Sequence, residues 1–430
     1  MWSPASPLCL STLLRAGALV LLLSAAAPAP AAEPDAAHET VVEARLVVDP
    51  ALSLKAVLDA ALARDPGAAV VEARAAETRV LDRRAGGWLA DDLAFDLRRF
   101  DSGPFGRSGI RETEGGLDLP IWRPGQRAAA GRLADGSRAQ REAESISREL
   151  RVAGDVRETV WAVAISHTRL DQAERALVDA RVLEAAVARR IELGDAAAAD
   201  LLPARDWRLE HEARVQEADV VRVHAELAWR LLTGLDRLPA RVDELDRDAH
   251  EGEAGSDPWL AAPKAQLDRA RAETDLARRS RGGNPVITLG ARRELGGPDN
   301  TDIDSLGLGV RIPLGLGAAS RVPEAAAAVA AAQAESELAL AARRQDYLRH
   351  EAEHERHAAL GARDRLAERA GLAERELANA AKAWSVGELG LAERLLVETR
   401  ARGVLADAAV ADLEYRRAIA RHHQILGVLP

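Results

Sequence analysis

The stretch Leu306–Gly315, LGLGVRIPLG, decides how this chain is read. Leu306, Leu308, Val310, Ile312 and Leu314 alternate with Gly307, Gly309, Arg311 and Pro313. A period of two with one apolar side marks a β-strand whose two faces meet different surroundings. Three other segments have the same form. Leu93, Phe95 and Leu97 alternate with Ala94, Asp96 and Arg98; Leu117, Leu119 and Ile121 with Asp118 and Pro120; Ile287, Leu289 and Ala291 with Thr288, Gly290 and Arg292. The polar sides carry Arg, Asp and Gly, which suits a soluble sheet or a barrel with a wet lumen and a lipid-facing outside. Each segment is about ten residues, the length a tilted strand needs to cross a bilayer. Trp88 and Trp122 sit at strand ends, where an aromatic girdle would lie. DSGPFGRS at 101–108 and GGPDNTD at 296–302 read as hairpin loops.

Four strands do not close a barrel around a channel, and an open sheet edge in lipid leaves backbone groups unpaired at prohibitive cost. Membrane strands here would therefore require a barrel shared between chains. An oligomer follows; its number does not.

The chain is written twice. LDLPIW (Leu117–Trp122) resembles VRIPLG (Val310–Gly315), IELGDAAAADLL (Ile191–Leu202) resembles WSVGELGLAERL (Trp384–Leu395), and RLLTGL (Arg230–Leu235) resembles HQILGV (His423–Val428). Pro120 and Pro313, Gly194 and Gly387, and Gly234 and Gly427 are each 193 residues apart. One offset kept three times in order is the mark of an internal repeat. The halves are 51–235 and 257–430, joined by a polar, acidic linker, 236–256. Each half is expected to hold a helix (Pro66–Ala85; Pro258–Ser280) and then two strands, near 89–100 and 109–122 in the first and near 284–294 and 303–315 in the second. A long helical hairpin follows in each, with its tip near 191–198 or 384–391.

The long helices carry a heptad seam. Val156, Val163, Leu170 and Leu177 are spaced by seven, with Val160, Ala173 and Ala180 between them. Ala352, Ala359, Leu366 and Ala373 repeat the spacing, with Leu377 four further on. Sixty helical residues would extend about 90 Å, which suggests a rod or tube.

Composition narrows the function. The chain has 430 residues, a net charge of −10 and only 3% aromatics. An acidic balance argues against nucleic acid as a partner, because counterion release needs a basic surface. Arg15 precedes an apolar run, Ala16–Ala27, followed by Ala29-Pro30-Ala31. That pattern is a secretory signal peptide over 1–31, leaving an N-terminal segment, 32–50, at the start of the mature chain. Cys9, the one cysteine, would be lost, so the mature chain would carry no thiol. No later segment approaches twenty consecutive apolar residues, so membrane entry would be as a β-barrel.

With a signal peptide, two repeats, two strands per repeat and long hairpins, residues 51–429 resemble the TolC-type outer-membrane efflux proteins. PVITLG (Pro285–Gly290) closed by GVRIPLG (Gly309–Gly315) is similar to the family's strand pair. Gly194 followed by Asp200-Leu201-Leu202, and Gly387 followed by Glu393-Arg394-Leu395-Leu396, resemble its hairpin tips. The resemblance implies a mainly α fold with a small transmembrane β part. Long antiparallel coiled-coil hairpins would form an α-barrel tunnel, and four strands per chain would join a twelve-stranded barrel in a homotrimer. It implies an outer-membrane location in a Gram-negative bacterium, with the tunnel crossing the periplasm. Its partners would be outer-membrane lipid, a periplasmic adaptor and an inner-membrane pump, with the proton-driven resistance-nodulation-division type as the candidate class. It implies a passive duct with no catalysis and no cofactor.

Two functional groups of residues follow. Leu93, Phe95, Leu97, Leu117, Leu119, Ile121, Ile287, Leu289, Leu306, Leu308, Val310 and Ile312 would face lipid. Glu192, Gly194, Asp195, Asp200, Gly387, Glu388 and Glu393 would form the periplasmic tip, as aperture or adaptor contact. Acidic rings at a constriction favour cations; equally, carboxylates near helix N-termini are stabilised by the helix dipole. Gly194 and Gly387 fit helix C-caps. Pro203 fits only the first turn of a helix, so the helix after the first tip is expected to start near Ala199–Leu202.

One motif points elsewhere. HEAEH (His350–His354) matches the zinc-hydrolase pattern H-E-x-x-H. If Ala352, Ala359 and Leu366 mark the seam, then His350, His354 and His357 lie on the outer side of a long helix. Such a face offers neither a third protein ligand nor a substrate cleft. These three histidines remain surface metal candidates only, against the plainer reading of a solvated helix face. The other competing reading is a periplasmic coiled-coil adaptor or scaffold, which would leave the four alternating strands without a lipid-facing purpose.

Overall fold

The computed structural model describes residues 45–101, 111–244, 257–296 and 302–430. The expected signal segment, most of the N-terminal segment 32–50, most of both hairpin loops and most of the linker lie outside the described residues.

The described chain runs β1 (Val47–Asp49), α1 (Leu54–Arg64), α2 (Ala68–Gly86), β2 (Ala94–Asp101), β3 (Arg111–Pro120), α3 (Gln126–Glu192) and α4 (Leu201–Thr233). It continues β4 (Arg237–Pro239), α5 (Pro258–Arg279), β5 (Val286–Leu295), β6 (Ile303–Arg311), α6 (Val322–Ser385) and α7 (Leu391–Leu426). The order helix, two strands, very long helix, shorter helix occurs twice. At 67 residues, α3 is about 100 Å long. No helix among the described residues is long and apolar enough to cross a membrane.

Val156, Val163, Leu170 and Leu177 are all buried, as the heptad seam requires. On α6 the seam is looser: Ala352 and Ala373 are buried, while Ala359 and Leu366 are half-buried. Alanine at these positions permits close approach but removes little apolar area from water.

Three elements differ from the expectation. α1, β1 and β4 were not legible as elements. Val47–Asp49 pairs in parallel with Arg237–Pro239, so the start of the supposed linker is a strand. α1 brings Val57, Leu58 and Ala61 against Val156, Val160 and Trp161 of α3, Trp229 of α4 and Ala420 of α7. This is the largest apolar cluster of the described chain, and it draws on both halves.

A buried polar group sits beside it. Arg157 donates from Nε and Nη2 to the two carboxylate oxygens of Glu244, at 2.6 and 2.7 Å. His423 Nδ1 lies 3.0 Å from Glu244 Oε2. Gln424 accepts from Arg157 Nη1 at 2.5 Å and donates to the Leu150 carbonyl at 2.6 Å. Burial pushes the Glu244 carboxyl up, but the bonds from His423 and Arg157 outweigh it and hold it below the usual glutamate value of 4.5. The sign follows by linkage: the stabilisation is complete above pH 4.5 and is lost as pH falls through the lower folded value. Amide exchange through the α3 segment 150–163 should therefore accelerate below pH 4.5, beyond the intrinsic pH effect. An exchange profile that stays flat after that correction would contradict the assignment.

Candidate functional site

The four strands form one antiparallel sheet in the order β2-β3-β5-β6. Its register puts Phe95, Leu117, Leu289 and Leu308 in one cross-strand row. A second row is Leu97, Gly115, Ala291 and Leu306, and a third holds Leu119, Ile287 and Val310. All three lie on the same face, because side chains alternate along each strand. Leu306 is 92% exposed, Leu308 72% and Phe95 70%. Leu119 and Ile287 are half-covered. Leu93, Ile121 and Ile312 fall just outside the strands.

The opposite face is polar. Asp96, Gly116, Gly290 and Gly307 share a row, as do Arg98, Glu114, Arg292 and Ser305. Asp118 accepts from Thr288 Oγ1 at 2.5 Å and from Arg311 Nη2 at 3.2 Å. Arg292 pairs with Glu112 at 2.6 Å and Glu294 at 3.2 Å. A cleft of about 540 Å³ lies on this face. β2 and β6 are the sheet's outer strands, each with one side unpaired.

Below the sheet, Gln126 at the start of α3 ties strands to helices. It donates to Asn284 Oδ1 at 2.7 Å and Ser280 Oγ at 3.0 Å, and accepts from the Arg123 N–H at 2.9 Å. Trp122 donates to the Gly87 carbonyl at 3.1 Å and packs against the cluster formed by Ala129, Ala130 and Leu133 of α3 and Leu276 of α5. Apolar helix surface next to the strand half-covers the ring. Trp88 remains 70% exposed.

At the far end of the hairpins the two tips are built alike. Gly194 (φ 80°) and Gly387 (φ 81°) are left-handed. The Gly194 N–H bonds to the Ile191 carbonyl and the Asp195 N–H to the Arg190 carbonyl; Gly387 to Trp384 and Glu388 to Ala383 repeat the pair. This is the Schellman closure of a helix end. No heavy atom beyond the adjoining residues stands within 4 Å of a Cβ added at either glycine, so only the backbone conformation demands glycine. Gly194→Ala and Gly387→Ala should each cost about 1 kcal/mol. The expected readout is faster amide exchange confined to 191–198 or 384–391.

The helices after the tips also begin alike. Asp200 accepts from the Ala197 N–H at 3.2 Å, and Glu393 from the Gly390 N–H at 3.3 Å. α4 starts at Leu201, which puts Pro203 in its first turn, where the missing N–H is harmless. Glu192 pairs with Arg189 at 2.8 Å. Asp195 and Glu388 are exposed. So of the five tip carboxylates, two brace backbone, one pairs with arginine and two point into solvent.

Sequence reasoning missed how the tips are joined. Trp384 lies between two guanidinium groups: Arg190 and Arg394 each stand 4.6 Å from its ring centroid. Arg190 also donates to the Trp384 carbonyl at 3.3 Å. Trp207 donates to Thr399 Oγ1 at 3.2 Å. The Arg190–Trp384 and Trp207–Thr399 contacts run between halves, so nothing in local periodicity marks them.

His350, His354 and His357 lie exposed on α6. No group of three or more metal-ligating side chains is assembled among the described residues.

No family model matches the sequence, and no curated protein matches it. Solved structures do. The outer membrane protein VceC from Vibrio cholerae matches with a TM-score of 0.70 at 16% identity, over 87% of this chain and 96% of that one. The Campylobacter jejuni CmeC outer membrane channel matches with a TM-score of 0.70 at 17% identity, over 87% of this chain and 85% of that one. The Neisseria gonorrhoeae MtrE outer membrane channel, in its open state, gives 0.64 at 17%, over 89% and 90%. The similarity spans strands and hairpins together, and the chain has the fold of the TolC-type outer-membrane channels.

Proposed function

We propose that the chain is the outer-membrane exit duct of a tripartite efflux or secretion system. Three copies share a twelve-stranded barrel, each contributing its four strands. The observation that carries this reading is the sheet: one exposed apolar face, one polar face, and two open edges on β2 and β6. In lipid both edges must be paired, and the β6 edge of one copy is antiparallel to the β2 edge of the next. The hairpins continue the pore through the periplasm, where the tips meet an adaptor coupled to an inner-membrane pump of the resistance-nodulation-division type. The duct does no bond chemistry; it works by electrostatics and by opening at the tips.

Asp195 and Glu388 are the aperture carboxylates on this reading, because the other three are engaged within their own tips. Rings of carboxylates favour cations. Reconstituted in a planar bilayer, the protein should give a steady, cation-preferring conductance. The double variant Asp195→Asn/Glu388→Gln should lower the cation preference without abolishing conductance. A protein that never conducts, and that fractionates with the soluble periplasm, would refute the duct.

A further inference from the structure

Between the two hairpins, away from the tips, lies a cavity of about 670 Å³. α3, α4, α6 and α7 all line it. Its volume is that of a site for a small organic molecule. Four arginines line it: Arg169, Arg175, Arg214 and Arg402. Arg214 pairs with Glu210 at 2.5 Å, and Arg402 with Asp179 at 2.7 Å. Arg169 and Arg175 are exposed and form no ion pair among the described residues, which leaves both guanidinium groups open to a ligand at the cavity. Glu374 is the one carboxylate in the lining, and it is exposed. The remaining surface is largely small and apolar, with Ala173, Ala370, Ala406 and Ala409.

His211 supplies an independent sign. It is 2% exposed, and neither ring nitrogen has a hydrogen-bond partner. Its ring stands edge-on to Trp207, with centroids 4.7 Å apart, which fixes its orientation. Buried polar atoms are almost always bonded, and leaving one unbonded is costly. Burial, with Arg214 and Arg402 nearby, holds the imidazole below its usual range against the opposing pull of Glu210 and Asp179. The neutral ring offers one N–H donor and one acceptor.

We infer that this cavity binds a small organic anion with an apolar body, its charged group held by Arg169, Arg175 and the His211 ring and its body lying on the alanine surface. Guanidinium forks suit carboxylate, sulfonate and phosphate alike. The site goes beyond the duct reading and rests only on the helical hairpins, so binding and conductance fail separately.

The test is calorimetric titration of the detergent-solubilised full protein with 2-naphthoate, its uncharged analogue 2-naphthamide, and inorganic phosphate. The expected result is saturable 2-naphthoate binding at one site per chain, with the amide and phosphate each much weaker. Arg169→Gln/Arg175→Gln, two exposed changes that leave the fold intact, should weaken naphthoate at least about tenfold, the scale of lost charge-assisted bonds. His211→Phe, which keeps the ring volume against Trp207, should weaken it as well. Absence of saturable naphthoate binding would overturn the site. So would equal binding of the amide, equal binding of phosphate, or an affinity that neither variant changes.

Discussion

Leu306→Arg/Leu308→Arg should keep the protein out of the outer membrane. Both leucines lie mid-strand in β6, on the exposed apolar face, in register with Ala291 and Leu289 of β5. An arginine on the lipid face of a barrel costs about 2–4 kcal/mol at the bilayer midplane. Two per chain, repeated in every copy of the proposed trimer, exceed what assembly can absorb. The expected result is loss of signal from the outer-membrane fraction, with degraded or soluble protein in the periplasm. The control lies one residue away on the other face. Ser305 stands opposite Arg292, so Ser305→Glu places a carboxylate beside a cation over water. That variant should insert like the parent. If both behave like the parent, the apolar face does not meet lipid and the barrel reading fails.

The second large effect concerns the buried pair at the helix core. Arg157 and Glu244 have side chains only 4% and 10% exposed, and their bond is bidentate. Removing one member of such a pair strands the other in a poorly solvated site, at a cost of about 3–5 kcal/mol. Arg157→Met should therefore raise amide exchange across 150–163 of α3 by about two to three and a half orders of magnitude, that range converted at about 1.4 kcal/mol per tenfold. Adding Glu244→Gln should recover much of the loss, since the uncompensated charge disappears. A single variant that exchanges like the parent would show that the pair contributes nothing. A double variant no better than Arg157→Met would show that the arginine acts by packing alone.

Much of this molecule is legible in its sequence because its dominant forces are periodic. Apolar residues two apart at 306, 308, 310, 312 and 314 write a strand, and apolar residues seven apart at 156–177 write a seam. Gly194 and Gly387 mark the tips because only a left-handed backbone closes those helix ends. What stayed hidden is long-range. α1 is short, and β1 and β4 are three residues each, too brief for any period to show. They exist because Leu46, Val57 and Leu238 find a common core with Trp161 and Trp229. Trp384 between Arg190 and Arg394, and His211 over its cavity, depend on which hairpin lies beside which. The tip carboxylates were visible as a set, but their division was not. Asp200 and Glu393 turn back to their own backbone, which leaves Asp195 and Glu388 as the free pair. In HEAEH the two histidines lie exposed on one face of α6 while Ala352 between them is buried.

The most direct test of the central claim is electron microscopy of the protein extracted in detergent from the outer-membrane fraction. The shared-barrel account predicts a hollow particle with three-fold symmetry, longer than the roughly 100 Å of α3 alone. A compact monomeric particle, or protein recovered only from the soluble periplasm, would contradict it.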